Sequence, residues 1–336
     1  MKIMLVSDAW EPQVNGVVRT LRTVMQELAT LGHEVRVIHP NLFRTMPCPT
    51  YPEISLALLP KKKLAREALD FQPDAVHIAT EGPLGLAARS LCKDMGWPFT
   101  TSFHTRFPEY VHERARIPTE WTYRAMRWFH GRADRVMVAT ASIQRELEDR
   151  GFDNTVRWSR GVDTDLFRPQ WKGPRLFDEL PGPIHLYVGR VAVEKNIEAF
   201  LKLDVEGSKV VVGEGPQRSD LERRYPDVHF TGAKHGGELA KHYASGDIFV
   251  FPSRTDTFGL VLLEALASGL AVAAYPVPGP LDVIGNSGVG VLDEDLAAAC
   301  RRARDIDPDE CREFALGHSW RECARLFESH LSVFAA

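Results

Sequence analysis

Short apolar runs alternate with longer amphipathic stretches from one end of this chain to the other. In the first half KIMLVS, EVRVIH, AVHIAT, FTTSFH and RVMVAT are each of strand length, rich in β-branched and aliphatic residues, and suit strands buried on both faces. They predict strands over 2–7, 34–39, 75–80, 99–104 and 135–140. Gly32 closes the helical pattern after the first run, so residues 2–39 read as one βαβ unit. The same alternation restarts in the second half and predicts strands over 185–189, 209–213, 228–231, 247–251 and 271–275. Between the halves, RGVDTDLFRPQWKGPRLFDELPGP over 160–183 is rich in Pro and Gly and holds no sustained period, which marks a linker. The stretch 319–334 is amphipathic at helical spacing. The pattern therefore predicts an α/β chain of two similar halves, each a parallel sheet covered by helices.

A length of 336 residues suits two domains of about 150 residues each. With 44% hydrophobic and 26% charged residues the composition is that of a soluble globular protein. No apolar run approaches the roughly 18 residues that span a bilayer, and Met1-Lys2 leads straight into a strand without the features of a signal peptide, so a cytoplasmic enzyme is expected. Cys48, Cys92, Cys300, Cys311 and Cys323 form no C-x-x-C pair, which argues for reduced thiols rather than a disulfide framework or a zinc site. A net charge of −4 disfavours a general nucleic-acid binder.

Chemistry concentrates in FPSRTDTFGLVLLEALASG, residues 251–269. It predicts a buried strand, a polar loop holding Asp256, and a helix starting near Phe258 and running to Gly269. Glu264 interrupts the apolar run from Leu260 to Leu266, and a carboxylate buried there needs polar partners. Thr257, Phe258, Gly259 and Leu260 carry the N–H groups of the helix start, which suits an anionic or hydroxyl-rich ligand. In HLYVGRVAVEKNIEAF, a strand delivers Arg190 at its carboxyl end and Lys195 follows at the start of the next helix, two cations able to clamp a diphosphate. The first βα loop, SDAWEPQVNGVVRT, has Gly16 just before a helix but no G-x-G-x-x-G, and the chain has no G-x-x-x-x-G-K-[ST]. A dinucleotide cofactor and P-loop chemistry are both disfavoured. His104 ends the run FTTSFH, where a strand edge faces the ligand crevice of an α/β sheet. D-x-D triplets at Asp163/Asp165, Asp293/Asp295, Asp305/Asp307 and Asp307/Asp309 fall in the linker or the acidic C-terminal segments, and no catalytic metal is expected.

The 251–269 segment resembles the E-x7-E region of the retaining nucleotide-sugar glycosyltransferases of family 4, with Asp256 in place of the first Glu and a reach one methylene shorter. G-R-x-x-x-E-K-N around Arg190 and Lys195, G-V-D-x-x-x-F-x-P in the linker, and S-F-H-T at His104 resemble the same family, and the likeness spans nearly the whole chain. It implies the GT-B architecture, two Rossmann-like domains facing across a cleft. The first, 1–162, would bind the acceptor and the second, 163–316, the nucleotide sugar, with a helix over 317–336 crossing back onto the first. It further implies that Gly16 lets backbone approach the donor phosphates, that Arg190 and Lys195 hold the leaving diphosphate, and that His104 lies near the donor sugar. Glu264 is then assigned to the ribose hydroxyls and Asp256 to hydroxyls of the donor sugar, with Thr257, Phe258, Gly259 and Leu260 beside the donor. Gly213 and the Thr231-Gly232-Ala233 turn become walls of the base pocket. The resemblance also implies front-face displacement without a protein nucleophile, with His104, Arg190, Lys195 and Asp256 as the catalytic set, and neither cofactor nor metal is expected.

For the acceptor, PKKKLAREALDF groups Lys61, Lys62, Lys63 and Arg66, and the segment 114–135 interleaves Arg124, Arg127, Arg132 and Arg135 with Trp121, Tyr123, Met126, Trp128 and Phe129. Basic residues beside interfacial aromatics suit an anionic membrane surface. Together with the resemblance to bacterial members that glycosylate diacylglycerol, this favours transfer of a hexose from a UDP-sugar to a lipid hydroxyl by an enzyme peripheral on the inner face of the cytoplasmic membrane. A GDP-mannose-dependent α-mannosyltransferase shares much of the pattern. A non-catalytic sugar-nucleotide-binding subunit is the alternative of another class, for which the Asp256 substitution speaks.

Overall fold

The continuous apolar runs form parallel strands because each is joined to the next through a helix that can cover a sheet face. The computed structural model describes residues 1–13, 16–48, 51–104, 116, 118–170, 175–256 and 258–334, without the side chains of 51–54. Contacts divide the chain into two units, Met1–Ser159 together with the C-terminal segment from Trp320, and Arg160–Ser319. The sequence expectation placed these boundaries at 162/163 and 316/317. The small difference has a local cause in the second unit, where Val162 N–H donates to the His318 carbonyl at 2.8 Å and Val162 bridges Ser319.

The first unit holds β1 (Lys2–Val6), β2 (Glu34–Ile38), β3 (Thr45–Cys48), β4 (Tyr51–Ala57), β5 (Ala75–Ile78), β6 (Thr100–Phe103), β7 (Arg135–Val138) and β8 (Thr155–Arg157). Its sheet has the order β2-β1-β5-β6-β7-β8, all parallel, and β3 and β4 form a separate antiparallel hairpin. The hairpin and β8 are absent from the predicted strand set. β8 is three residues long, too short for a period-2 signal, and Pro47 and Pro52 interrupt the hairpin strands. Helix Gly16–Thr30 buries Val18, Leu21, Val24 and Leu28 at three- and four-residue spacing, each side chain contributing about 1.5–3 kcal/mol on burial. It packs against helix Trp320–His330, which buries Trp320, Cys323, Ala324 and Phe327. The chain end is pinned further by Phe334 N–H donating to the Asp74 carbonyl at 2.8 Å.

Polar groups also lie deep in this unit, His77 among them. His77 in β5 is fully buried, with Nδ1 2.9 Å from Thr100 Oγ1 and Nε2 2.9 Å from Ser102 Oγ. Burial pushes its pKa down to about 3, so the imidazole is neutral.

The second unit holds β9 (Ile184–Val188), β10 (Ser208–Val212), β11 (His229–Gly232), β12 (Ile248–Phe251), β13 (Ala271–Ala274) and β14 (Gly290–Leu292). The order β11-β10-β9-β12-β13-β14 is the doubly wound 3-2-1-4-5-6 arrangement. The direction in which successive strands are added reverses between β9 and β12, and ligands of such sheets bind beyond the carboxyl ends of the strands at that switch point. β9, β12 and β13 are buried along their whole length. Three-residue β14, another edge strand, is the element that periodicity missed here.

Candidate active site

The switch point of the second unit carries the predicted cations and carboxylates. β9 ends at Val188, and Gly189 and Arg190 follow, with the Arg190 carbonyl accepting from the Tyr187 hydroxyl at 2.8 Å. Arg190 is exposed and its Nη1 lies 3.7 Å from Glu194. Lys195 sits on the short 3-10 turn Val193–Lys195 rather than at a helix start, because Asn196 adopts a left-handed conformation (φ 51°) before helix Ile197–Leu201 begins. Its Nζ donates to Asp256 Oδ1 at 2.5 Å, across the switch point from the loop after β12. Two further bonds join these loops, from Asn196 Nδ2 to the Pro252 carbonyl at 3.1 Å and from Thr255 Oγ1 to the Glu194 carbonyl at 3.2 Å. Glu194 faces Arg190.

The pair Lys195–Asp256 is about one-quarter exposed, with side-chain accessibilities of 28% and 22%. Asp256 Oδ2 is buried and has no hydrogen-bond partner among the described residues. A carboxylate with one oxygen on a cation and the other unsatisfied is poised for a further donor, such as a sugar hydroxyl.

Glu264 is buried at 2% exposure inside helix Leu260–Ala267, and its Oε2 accepts from the Tyr243 hydroxyl at 2.9 Å. Tyr243 was not among the predicted site residues; it lies 21 positions away on helix Gly236–Tyr243. The helix begins at Leu260, two residues later than predicted. Gly259 is its N-cap with φ 78°, a left-handed conformation that ends the preceding loop and that a side chain would strain. Phe258 and Gly259 therefore belong to the loop, Leu260 opens the helix, and Thr257 lies outside the described residues.

Gly213 sits where a side chain cannot fit, since a Cβ there would come 1.8 Å from the Gly189 carbonyl oxygen. Its N–H donates to the Gly232 carbonyl at 3.0 Å, and Val191 N–H donates to the Glu214 carbonyl at 2.9 Å. The predicted base-pocket glycine thus has a packing reason of its own: it lets the loops after β9, β10 and β11 lie against one another. This brings Gly213 and Gly232 into the same loop cluster as Arg190.

The remaining predicted residues belong to the first unit. His104 follows β6, is partly buried, and meets the Trp158 ring edge-on with centroids 5.9 Å apart. Gly16 opens helix Gly16–Thr30, is exposed, and has open space where a Cβ would point. A carboxylate that the sequence reading passed over lies at the carboxyl end of β1. Asp8 is 6% exposed and accepts from Leu84 N–H at 2.9 Å, Gly85 N–H at 3.2 Å and Thr80 Oγ1 at 3.0 Å. It caps helix Pro83–Met95, and burial outweighs these donors to raise its pKa above the ordinary carboxylate value.

The basic segments divide into engaged and outward-facing groups. Lys61 Nζ is held by Asp94 at 2.9 Å and Ser90 at 3.0 Å, Lys63 Nζ donates to the Leu42 carbonyl at 2.5 Å, and Arg127 Nη1 donates to the Arg150 carbonyl at 2.8 Å. Lys62, Arg124, Trp121 and Trp128 are exposed, and the Arg89 guanidinium stacks 4.0 Å over the Trp128 ring. Among the described residues no helix is long and apolar enough to cross a membrane.

Two Rossmann-like units, the second with cations and a buried carboxylate at its switch point, are the ingredients of the GT-B fold class. The model described as Glycosyltransferase Family 4 matches residues 14–166, and the one described as Glycosyl transferases group 1 matches residues 182–305. Sulfoquinovosyl transferase SQD2 of Arabidopsis thaliana is 32% identical over 92% of this chain and 67% of its own length. A GDP-mannose-dependent alpha-mannosyltransferase of Mycobacterium tuberculosis is 31% identical over 87% of this chain and 83% of its own. The alpha-monoglucosyldiacylglycerol synthase of Streptococcus pneumoniae is 28% identical over 92% and 79%. Among solved structures, the sucrose-phosphate synthase of Thermosynechococcus elongatus shares the fold, with a TM-score of 0.76 at 23% identity over 98% of this chain and 97% of that one. The chain belongs to glycosyltransferase family 4 and is a glycosyltransferase.

Proposed function

We propose that the protein is a retaining hexosyltransferase that moves a hexose from a UDP-sugar to a lipid hydroxyl, such as that of a diacylglycerol, and forms an α-glycosidic bond. The observation that carries the donor half is the Lys195–Asp256 contact at the switch point, with Arg190 on the adjoining loop and Glu264 buried in the following helix. Such a set supplies cations for a diphosphate and carboxylates for hydroxyls. The C1–O bond to the diphosphate breaks as the C1–O bond to the acceptor forms on the same face, and the acceptor proton passes to a departing phosphate oxygen. Arg190 and Lys195 stabilise the charge that develops on the diphosphate, which is the largest electrostatic demand of the step. Glu264 holds the ribose hydroxyls and Asp256 the hydroxyls of the donor sugar, so binding energy orients C1 for attack. His104 is assigned to the donor sugar and Gly16 to its phosphates by the family resemblance. No protein nucleophile, cofactor or metal enters this scheme.

The lipid half rests on the named activity of the diacylglycerol relative and on exposed Lys62, Arg124 and Trp128, which suit an anionic bilayer. Lys63 adds positive potential while bonded to a carbonyl, and the charges of Lys61 and Arg127 are offset by Asp94 and Glu120. On this reading the enzyme works at the inner face of the cytoplasmic membrane. The mannosyltransferase relative favours a second reading, with GDP-mannose as donor. Purified protein offered UDP-glucose, UDP-glucuronate, UDP-sulfoquinovose or GDP-mannose with diacylglycerol in mixed micelles separates the two. Transfer from a UDP-sugar alone supports the first; glycolipid from GDP-mannose alone replaces it with the second. Donor binding without turnover on any lipid or saccharide acceptor points to a binding subunit.

A further inference from the structure

Tyr243 has no assigned role, yet its hydroxyl is bonded to Glu264. Helix Leu260–Ala267 buries every residue from Leu262 to Ala267, so the Glu264 carboxylate leaves an otherwise apolar wall. The Tyr243 hydroxyl donates to its Oε2 at 2.9 Å, with both residues inaccessible to solvent to within 2%. The phenol is itself held. Its ring meets Phe167 edge-on at 5.5 Å and Phe249 at 5.8 Å, so the hydroxyl cannot swing away without displacing core aromatics. Phe167 is the aromatic of the G-V-D-x-x-x-F linker sequence. Arg312 clips that linker to the end of the Glu264 helix, with Nη1 donating to the Phe167 carbonyl at 2.7 Å and the Ala267 carbonyl at 2.8 Å, and Nη2 to the Thr164 carbonyl at 2.9 Å. The linker, Tyr243 and the carboxylate therefore form one continuous bonded and packed chain.

We propose that Tyr243 is a positioning residue for the donor nucleotide: its hydroxyl, locked by Phe167 of the linker, sets the direction in which Glu264 offers its carboxylate to the ribose hydroxyls. This rests on the assignment of Glu264 to the ribose. A glutamate has three rotatable bonds, and a hydrogen bond to its charged end selects one arrangement before the ligand arrives, so less order is lost on binding. Tyr243 touches no ligand in this account and acts only through Glu264.

The test is calorimetry with UDP and 2′,3′-dideoxy-UDP, and with the corresponding GDP pair, on wild type, Tyr243→Phe and Glu264→Gln. The readout is the affinity ratio between each nucleotide and its dideoxy form, which a purely structural defect leaves unchanged because it weakens both ligands alike. Wild type is expected to prefer the ribonucleotide by about tenfold or more, and Tyr243→Phe to compress that ratio to about threefold or less. A wild-type ratio in Tyr243→Phe, with the ratio lost in Glu264→Gln, overturns the role of Tyr243 and leaves the ribose assignment standing. A wild-type ratio in Glu264→Gln removes the ribose assignment and the role of Tyr243 with it. Should Tyr243→Phe fail to fold, Phe167→Leu keeps the hydroxyl but loosens the ring; a reduced ratio supports the proposal and an unchanged one overturns it.

Discussion

Replacing Asp256 by Asn keeps the shape of the side chain and removes the charge opposite Lys195, which separates diphosphate binding from sugar binding. The two groups lie 2.5 Å apart and are only about one-quarter exposed, at 28% and 22%. Two unit charges 4 Å apart at an effective dielectric near 20 attract by about 4 kcal/mol, and desolvation leaves a net of about 1.5–3 kcal/mol for a charge-assisted hydrogen bond. On the proposed assignment, an arriving diphosphate competes with Asp256 for Lys195, so part of that energy opposes binding. Asp256→Asn is therefore expected to bind UDP as tightly as wild type or up to about tenfold more tightly, while its rate of transfer from the intact donor falls by about 10–150-fold through loss of the charged acceptor for the sugar hydroxyl. Lys195→Ala is expected to do the reverse to UDP, weakening it by about tenfold or more. Calorimetry with UDP, transfer kinetics with the intact donor and a thermal melt to verify folding measure all three quantities. If folded Asp256→Asn loses as much UDP affinity as Lys195→Ala, the two residues act as one unit toward the diphosphate and the division of labour is refuted.

Arg190→Ala should leave the fold intact, since its guanidinium is exposed, and on the proposed assignment to the leaving group should raise the barrier to transfer by about 2.7–4 kcal/mol; near-normal single-turnover rates contradict this. Replacing Lys62, Arg124 and Trp128 together with Ser should abolish salt-sensitive cosedimentation with vesicles containing anionic lipid, each basic residue contributing about 1 kcal/mol, and leave activity on a short soluble acceptor. Binding that survives this change moves the membrane surface elsewhere. His77 is neutral when folded, with its pKa near 3, but takes a proton near pH 6.5 when unfolded. Its folded pKa is depressed, so stability present above pH 6.5 is lost as pH falls toward 3, at about 1.4 kcal/mol per pH unit; urea titrations of wild type and His77→Asn should show the shallower acid limb in the variant. Burial pushes the thiols of Cys92, Cys300 and Cys311 up to about 12, and Cys323 is buried as well. Ellman titration of the native protein at pH 8 should therefore find one readily reacting thiol, Cys48, and five after denaturation; several fast thiols in the folded state contradict that burial.

Parallel strands were legible in the sequence because a strand buried on both faces is predominantly apolar, and runs such as KIMLV and IHLYV carry that signature. Arg190, Lys195 and Glu264 were legible for a related reason: charge at a strand's end or inside an apolar helix stands out against its surroundings. Edge strands β8 and β14 were not, since three residues at a sheet border carry no period. Nor could the sequence show that Lys61, Lys63 and Arg127 donate to protein groups, because a run of basic residues reads the same whether its charges meet solvent or a carbonyl. Pairings across the sheet were likewise a matter for the tertiary structure: Lys195 meets Asp256 and Tyr243 meets Glu264 over 61 and 21 positions of chain. Residue types announce which groups need partners, by the cost of leaving a charge or a hydroxyl unsatisfied. Which partner each one finds depends on the strand order that sets β9 beside β12 and on the helices packed behind them, and these are properties of the folded chain alone.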